Sequence, residues 1–158
     1  MLLSEVFVPE FIKTDLESED KEEVFEELVN HFCRVTKLDV RENVLAALRE
    51  REAKMSTGIQ NGIAIPHGKT TAVEQVYGVL GVSKKGIEYD SLDGNPVHLV
   101  LMILAPPVEA ERHLHLLQRM AEVLRNPTFY KDVVAAGSPS AVYAIIKRYE
   151  ESSNFGEI

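Results

Sequence analysis

The sequence predicts an α/β fold: a single layered domain in which a mixed β-sheet is flanked by helices on both faces. Three observations predict it. Residues 97–104, VHLVLMIL, form a nearly continuous apolar run, the pattern of a central strand buried on both faces. Stretches with apolar residues three and four apart interleave along the chain with shorter strand-like runs, as in a layered α/β domain. Between two of those runs Asp93-Gly94 marks a turn, which permits an antiparallel pair and makes the sheet mixed.

Composition bounds the rest. A length of 158 residues suits one domain with a real core, expected over residues 1–152 with a frayed tail at 153–158. The hydrophobic fraction of 45% and charged fraction of 27% are those of an ordinary globule. The one cysteine, Cys33, excludes an internal disulfide and lies on an amphipathic stretch, where it is expected to be inert. No signal peptide is visible, and no apolar run approaches the ~20 residues of a membrane span. The expectation is a cytoplasmic protein with no direct membrane insertion. A formal net charge of -8 argues against general nucleic-acid binding and suits both solubility and a partner with a basic docking face. No repeat, linker or low-complexity segment interrupts the chain.

Taken in order, residues 11–16 predict a first strand. Asp20, three residues before Glu23, has capping-box spacing. Val24, Phe25, Leu28, Val29 and Phe32 then recur at helical spacing, with Glu22, Glu23, Glu26 and Glu27 at the favourable end or on the solvated face. His31 is expected to face solvent. Asp39 and Glu42 repeat the capping spacing, and Val44, Leu45 and Leu48 continue as a helix to about Ala53. Arg51 has no acidic residue three or four positions away, so no helical ion pair is open to it at those offsets.

Residues 56–69, STGIQNGIAIPHGK, organise the chain. Ile63, Ala64 and Ile65 predict a short buried strand end, which Pro66 stops because it lacks a backbone donor. His67 is thereby held at a strand end beside Gly68, where local N–H groups can form an anion-binding concavity. By pattern alone a histidine after a proline is more often a loop residue. Residues 76–83, VYGVLGVS, predict a further strand. His98 reads as a satisfied sheet-end residue. After Pro106 and Pro107 a helix starts between residues 108 and 112, with Leu114, Leu117, Ala121 and Leu124 as its stripe and Met120 and Val123 widening it. Asn126-Pro127 and Ser138-Pro139 are helix starts, and Val142, Ile145, Ile146 and Tyr149 give the last helix its apolar face.

The central stretch resembles the phosphorylation-site signature of phosphotransferase-system enzyme IIA domains of the fructose/mannitol/nitrogen-regulatory type, closest to the nitrogen-regulatory proteins. Glu52, Ile59, Asn61, Gly62, Ile63, Ala64, Ile65, Pro66, His67 and Gly68 carry the resemblance, which spans roughly residues 2–149. Gln60 departs, since a small Gly or Ala usually stands there. The resemblance implies a mixed sheet flanked by helices, with His67 as phosphoryl acceptor and donor. It implies His113, at the start of the HLHLL helix, as a phosphoryl-stabilising neighbour, and Arg51 as a support. His115, two residues on, points to another helix face and is expected to be peripheral. On the residues alone, both helix histidines read as surface groups.

The donor so implied is the histidine-phosphorylated carrier HPr or its nitrogen-branch paralogue, with phosphoenolpyruvate as the source through enzyme I. No metal or cofactor is implied. The chain leaves no room for fused IIB or IIC domains. Three other readings stand beside a phosphocarrier acting in nitrogen or metabolic regulation. One is a sugar-pathway IIA component passing phosphate to a separate fructose- or mannitol-type IIB protein. Another is a binding module, regulating target proteins, that is not phosphorylated. The last is a metal hydrolase built on His67, His113 and His115, which the missing carboxylate-rich motif disfavours.

Overall fold

The computed structural model describes residues 1–153, so all but the first residue of the expected tail lies outside the described residues. A mixed five-stranded sheet forms the middle layer. Its strands are β1 (Ile12–Lys13), β2 (Ile63–Ala64), β3 (His67–Lys69), β4 (Tyr77–Ile87) and β5 (Val97–Ala105). β4 and β5 pair antiparallel in the centre; β1 runs parallel to β4, and β2 and β3 run parallel to β5 along its other side. The run at residues 97–104 is therefore a central strand, as its lack of polar alternation requires.

Successive residues of β5 point to opposite faces, and each face has its own core. Leu99, Leu101, Ile103 and Ala105 pack with α1 (Leu3–Val6), α4 (Ala110–Leu124), α5 (Pro127–Ala135) and α6 (Pro139–Ser152). Val100, Met102 and Leu104 pack with α2 (Lys21–Thr36) and α3 (Arg41–Lys54). Asp20 caps α2 through the Glu23 N–H, Asn126 caps α5 through Thr128, and Ser138 caps α6 through Ala141.

Several expectations need correction. The first strand shrinks to Ile12–Lys13, because Pro9–Phe11 forms a 3-10 turn before it. Asp39 does not cap α3: the residue before the helix is Val40, and its side chain makes no capping bond. His31 does not simply face solvent. Its Nε2 lies 2.8 Å from the Glu10 carbonyl, and its Nδ1 is shielded with no partner among the described residues. Pro66 interrupts the sheet edge without ending it. Its own carbonyl accepts from Ile103, and pairing with β5 resumes at His67.

The largest correction concerns α4. Its buried residues are His113, Leu116, Met120 and Val123. Leu114, placed in the predicted stripe, is 54% exposed. The inward face begins at a histidine, so a stripe traced through apolar residues alone is rotated by one position.

Candidate functional site

Register places the central histidine. His67 lies opposite Ile103, and Ile103 lies opposite Gly78. Since Ile103 belongs to the core beneath α4, the His67 side chain shares that face of the sheet. Gly68 pairs with Leu104 and faces α3 instead. A Cβ at Gly68 would stand 3.0 Å from the backbone carbon of Ala47, so the glycine lets α3 approach the strand closely. β3 is also a sheet edge, which opens the ring to the cleft between strand and helix.

The imidazole is half-buried and oriented. Nδ1 lies 2.9 Å from the Ile65 carbonyl oxygen. A carbonyl can only accept, so Nδ1 carries the proton and Nε2 keeps its lone pair in the neutral ring. Burial holds the His67 pKa below its ordinary value. The Ile65 bond opposes that shift; Arg51 and Lys69 deepen it by repulsion, and Glu52 partly offsets it. At neutral pH the ring is therefore uncharged, with a free lone pair on Nε2.

The structure brings His113 to it. The two rings meet edge to face with centroids 5.6 Å apart. His113 is 2% exposed, and its Nε2 has no partner among the described residues. Burial lowers its pKa to about 4, helped by repulsion from Lys69 and from His67 when that ring is protonated. His115 is half-buried and makes no part of this pair. A buried imidazole with an orphaned nitrogen is a costly arrangement unless something arrives to satisfy it.

An open cleft of about 400 Å³ runs past the ring, lined by Ala47, Glu50, Arg51, Lys54, His67, Gly68 and Lys69. Arg51 makes no ion pair among the described residues; its Nη1 donates to the Met55 carbonyl at 2.7 Å. Lys69 escaped the sequence reading. The available signal was its place two residues after His67, on the same face of a strand. Arg51, Lys54 and Lys69 thus line the cleft beside Glu50, and of these Arg51 and Lys69 act on the His67 ring by repulsion.

The approach loop fixes shape. Asn61 and Gly62 both have left-handed backbone, with φ of 57° and 84°. Gln60 does not, and it is exposed, so its backbone requires no glycine here. The N–H groups of Ile59, Asn61, Ile63 and Ile65 all bond within the protein. Those four bonds brace the loop against the sheet edge and the segment before β5.

Comparison with known proteins identifies the family of this fold. Residues 5–149 match the family model described as phosphoenolpyruvate-dependent sugar phosphotransferase system, EIIA 2. The fructose-specific EIIABC component of Bacillus subtilis is 38% identical over 96% of this chain, which spans only 24% of that protein. A nitrogen regulatory protein of Bradyrhizobium diazoefficiens is 32% identical over 92% of this chain and 95% of its own length. The crystal structure of IIA-Ntr from Neisseria meningitidis superposes with a TM-score of 0.84 at 28% identity, covering 91% of this chain and 98% of that one. With the matched span and the fold in agreement, the chain belongs to the EIIA type-2 family of phosphotransferase-system components.

Proposed function

We propose that this chain is a histidine phosphocarrier of the phosphoenolpyruvate-dependent phosphotransferase system, taking phosphate on His67 from an HPr-type carrier and acting in nitrogen or metabolic regulation in the cytoplasm. The observation that carries the reading is the Nδ1–H bond to the Ile65 carbonyl, which leaves Nε2 as the nucleophile beside a cationic cleft. In the proposed step the Nε2 lone pair attacks the phosphorus in line. The new N–P bond forms as the donor's N–P bond breaks, and the electron pair of the broken bond stays on the donor nitrogen. No proton leaves His67, because Nε2 carries none. The product ring is cationic, and its Nδ1–H remains bonded to Ile65.

The protein's contribution is position and charge. In this reading Arg51 and Lys69 face the phosphoryl oxygens, and His113 Nε2–H donates to one of them. That bond gives the orphaned nitrogen its partner. Chain residues 1–152 act as one unit. The likeness to a nitrogen regulatory protein over nearly its whole length supports regulation, where phosphate on one face creates or blocks docking. The likeness to a fructose-specific component supports a second reading, transfer onward to a IIB protein.

The test is labelling. Purified protein is incubated with labelled phosphoenolpyruvate, enzyme I and HPr-type carrier. Label is expected on the wild type and absent from a folded His67→Ala variant. Label surviving the substitution rejects the site, and no label on the wild type favours the unphosphorylated binding module. Adding fructose- and mannitol-type IIB proteins to the labelled chain separates the two phosphocarrier readings by whether label moves.

A further inference from the structure

Glu52 stands near the end of α3, with a side chain only 7% exposed, and it is not part of the cleft lining. Its carboxylate grips one residue twice. Oε1 accepts from the Thr57 backbone N–H at 3.0 Å, and Oε2 accepts from the Thr57 hydroxyl at 2.6 Å. The Thr57 hydroxyl proton is thereby committed, so the Tyr89 hydroxyl, 2.7 Å away, donates to Thr57 Oγ1. Tyr89 is fully buried, and burial pushes its phenol pKa up, which keeps that proton in place. Lys21 lies 3.2 Å from Glu52 Oε1 and 5.2 Å above the Tyr89 ring. One carboxylate thus joins α2, α3 and the segment between β4 and β5 to Thr57.

Thr57 passes this anchoring on. Its carbonyl accepts from the Ile65 N–H at 2.9 Å, and the Ile65 carbonyl accepts from His67 Nδ1–H at 2.9 Å. Ile65 lies in the gap between β2 and β3, just before a proline that can give no N–H to the edge. Its carbonyl direction therefore depends on Thr57 rather than on a continuous ladder. We propose that Glu52 is a positioning residue for His67: acting through Thr57 and Ile65, it holds the ring proton on Nδ1 and aims Nε2 into the cleft. This rests on the reading of His67 as phosphoryl acceptor only for its effect on transfer; the tautomer itself does not.

Nitrogen NMR of the labelled His67 ring, in the full chain without any carrier, reads the tautomer directly. The wild type at about pH 8 is expected in the Nδ1–H form. Glu52→Ala is expected to populate the Nε2–H form and to slow labelling about 10- to 100-fold, the scale of a small misplacement. Glu52→Gln keeps an acceptor for the Thr57 N–H and is expected to restore most of the tautomer preference. The charge of Glu52 is lost in both variants, while the other groups facing His67 stay in place: Arg51 on α3, Lys69 on β3 and His113 on α4. Rescue by Gln therefore separates bonding from charge. Thr57→Val, which removes only the hydroxyl, is expected to move the tautomer in the same direction by less, and it decides the matter should Glu52→Ala fail to fold. An unchanged tautomer in the folded variants overturns the proposal, whatever happens to the rate. A wild type that shows the Nδ1–H form but takes no label sinks the phosphocarrier reading alone.

Discussion

At the scale of single residues, the two histidines differ in what burial does to them. His67 is half-buried with Nδ1 bonded to Ile65, whereas His113 is enclosed and its Nε2 has no partner among the described residues. Unfolded, the His113 ring titrates near its ordinary value of 6.5; folded, it titrates at about 4. Between those values the unfolded chain binds more protons, so acid favours unfolding. The stability that His113 contributes is complete above pH 6.5 and is lost as pH falls toward its folded value. His67, also lowered, acts in the same direction. Carboxylates held low, such as Glu27 with its bonds to Ser18 and Glu17, lose stability only in and below the carboxylate range. From pH 6.5 to about 5 the histidine effect therefore stands apart, at roughly 2 kcal/mol for His113. Urea unfolding across that window is expected to show this loss in the wild type and a flatter profile in His113→Leu. Equal slopes in the two proteins would mean that His113 is not a buried neutral base.

At the scale of elements, the readable features were those set by local chemistry. Asp20, Asn126 and Ser138 announce their helices because each side chain must answer an unpaired N–H nearby in sequence. Asp39 carries the same signal and fails, since the chain enters α3 one residue later and the cap is only a local preference. The α4 stripe was misplaced because a polar residue occupies an inward position for a reason that lies on another strand. The resumption of pairing at His67 was hidden for a similar reason: a proline ends local pairing, and only the partner strand β5 reveals that the edge continues. The approach loop offers a test of what its own residues require. A Cβ on Gly62 would lie 2.4 Å from the Tyr130 hydroxyl oxygen and 3.1 Å from Cζ, at a φ of +84°. Gly62→Ala is expected to cost roughly 1–3 kcal/mol. The cost should fall in a Tyr130→Phe background, which removes the nearest atom but not the backbone strain. Gln60→Gly, at a position without left-handed backbone, should stay within about 0.5 kcal/mol of wild type. A double-mutant cycle in urea measures the coupling, and a coupling of zero would place the whole penalty in the backbone.

At the scale of the molecule, one sheet separates two cores, and no helix among the described residues is long and apolar enough to cross a membrane. The core beneath α4 also joins the two ends of the described chain. Glu150, on α6 and only 6% exposed, accepts from the backbone N–H of Leu3 and from the N–H and hydroxyl of Ser4, the latter two at 3.1 and 2.7 Å. Tyr143 adds a bond from its hydroxyl to the Ser4 carbonyl at 3.2 Å. A helix as short as α1 does not hold itself in water, so its Leu3 and Val6 are held in the core by the elements they pack on, α6 foremost with α4 and β4 beside it. Glu150→Ala leaves two amides and a hydroxyl without their acceptor and is expected to destabilise by roughly 2–4 kcal/mol. Glu150→Gln keeps an oxygen for the same donors and should cost less. Neither α1 nor α6 contributes to the cleft lining around His67. The rate of label entering His67 should therefore be unchanged at temperatures where the variant is fully folded. Urea unfolding and labelling on the same preparation test both halves. An unshifted midpoint would show that the ends are held by apolar packing alone. Slower labelling in a folded variant would show that the sheet transmits strain from this junction to the edge that carries His67.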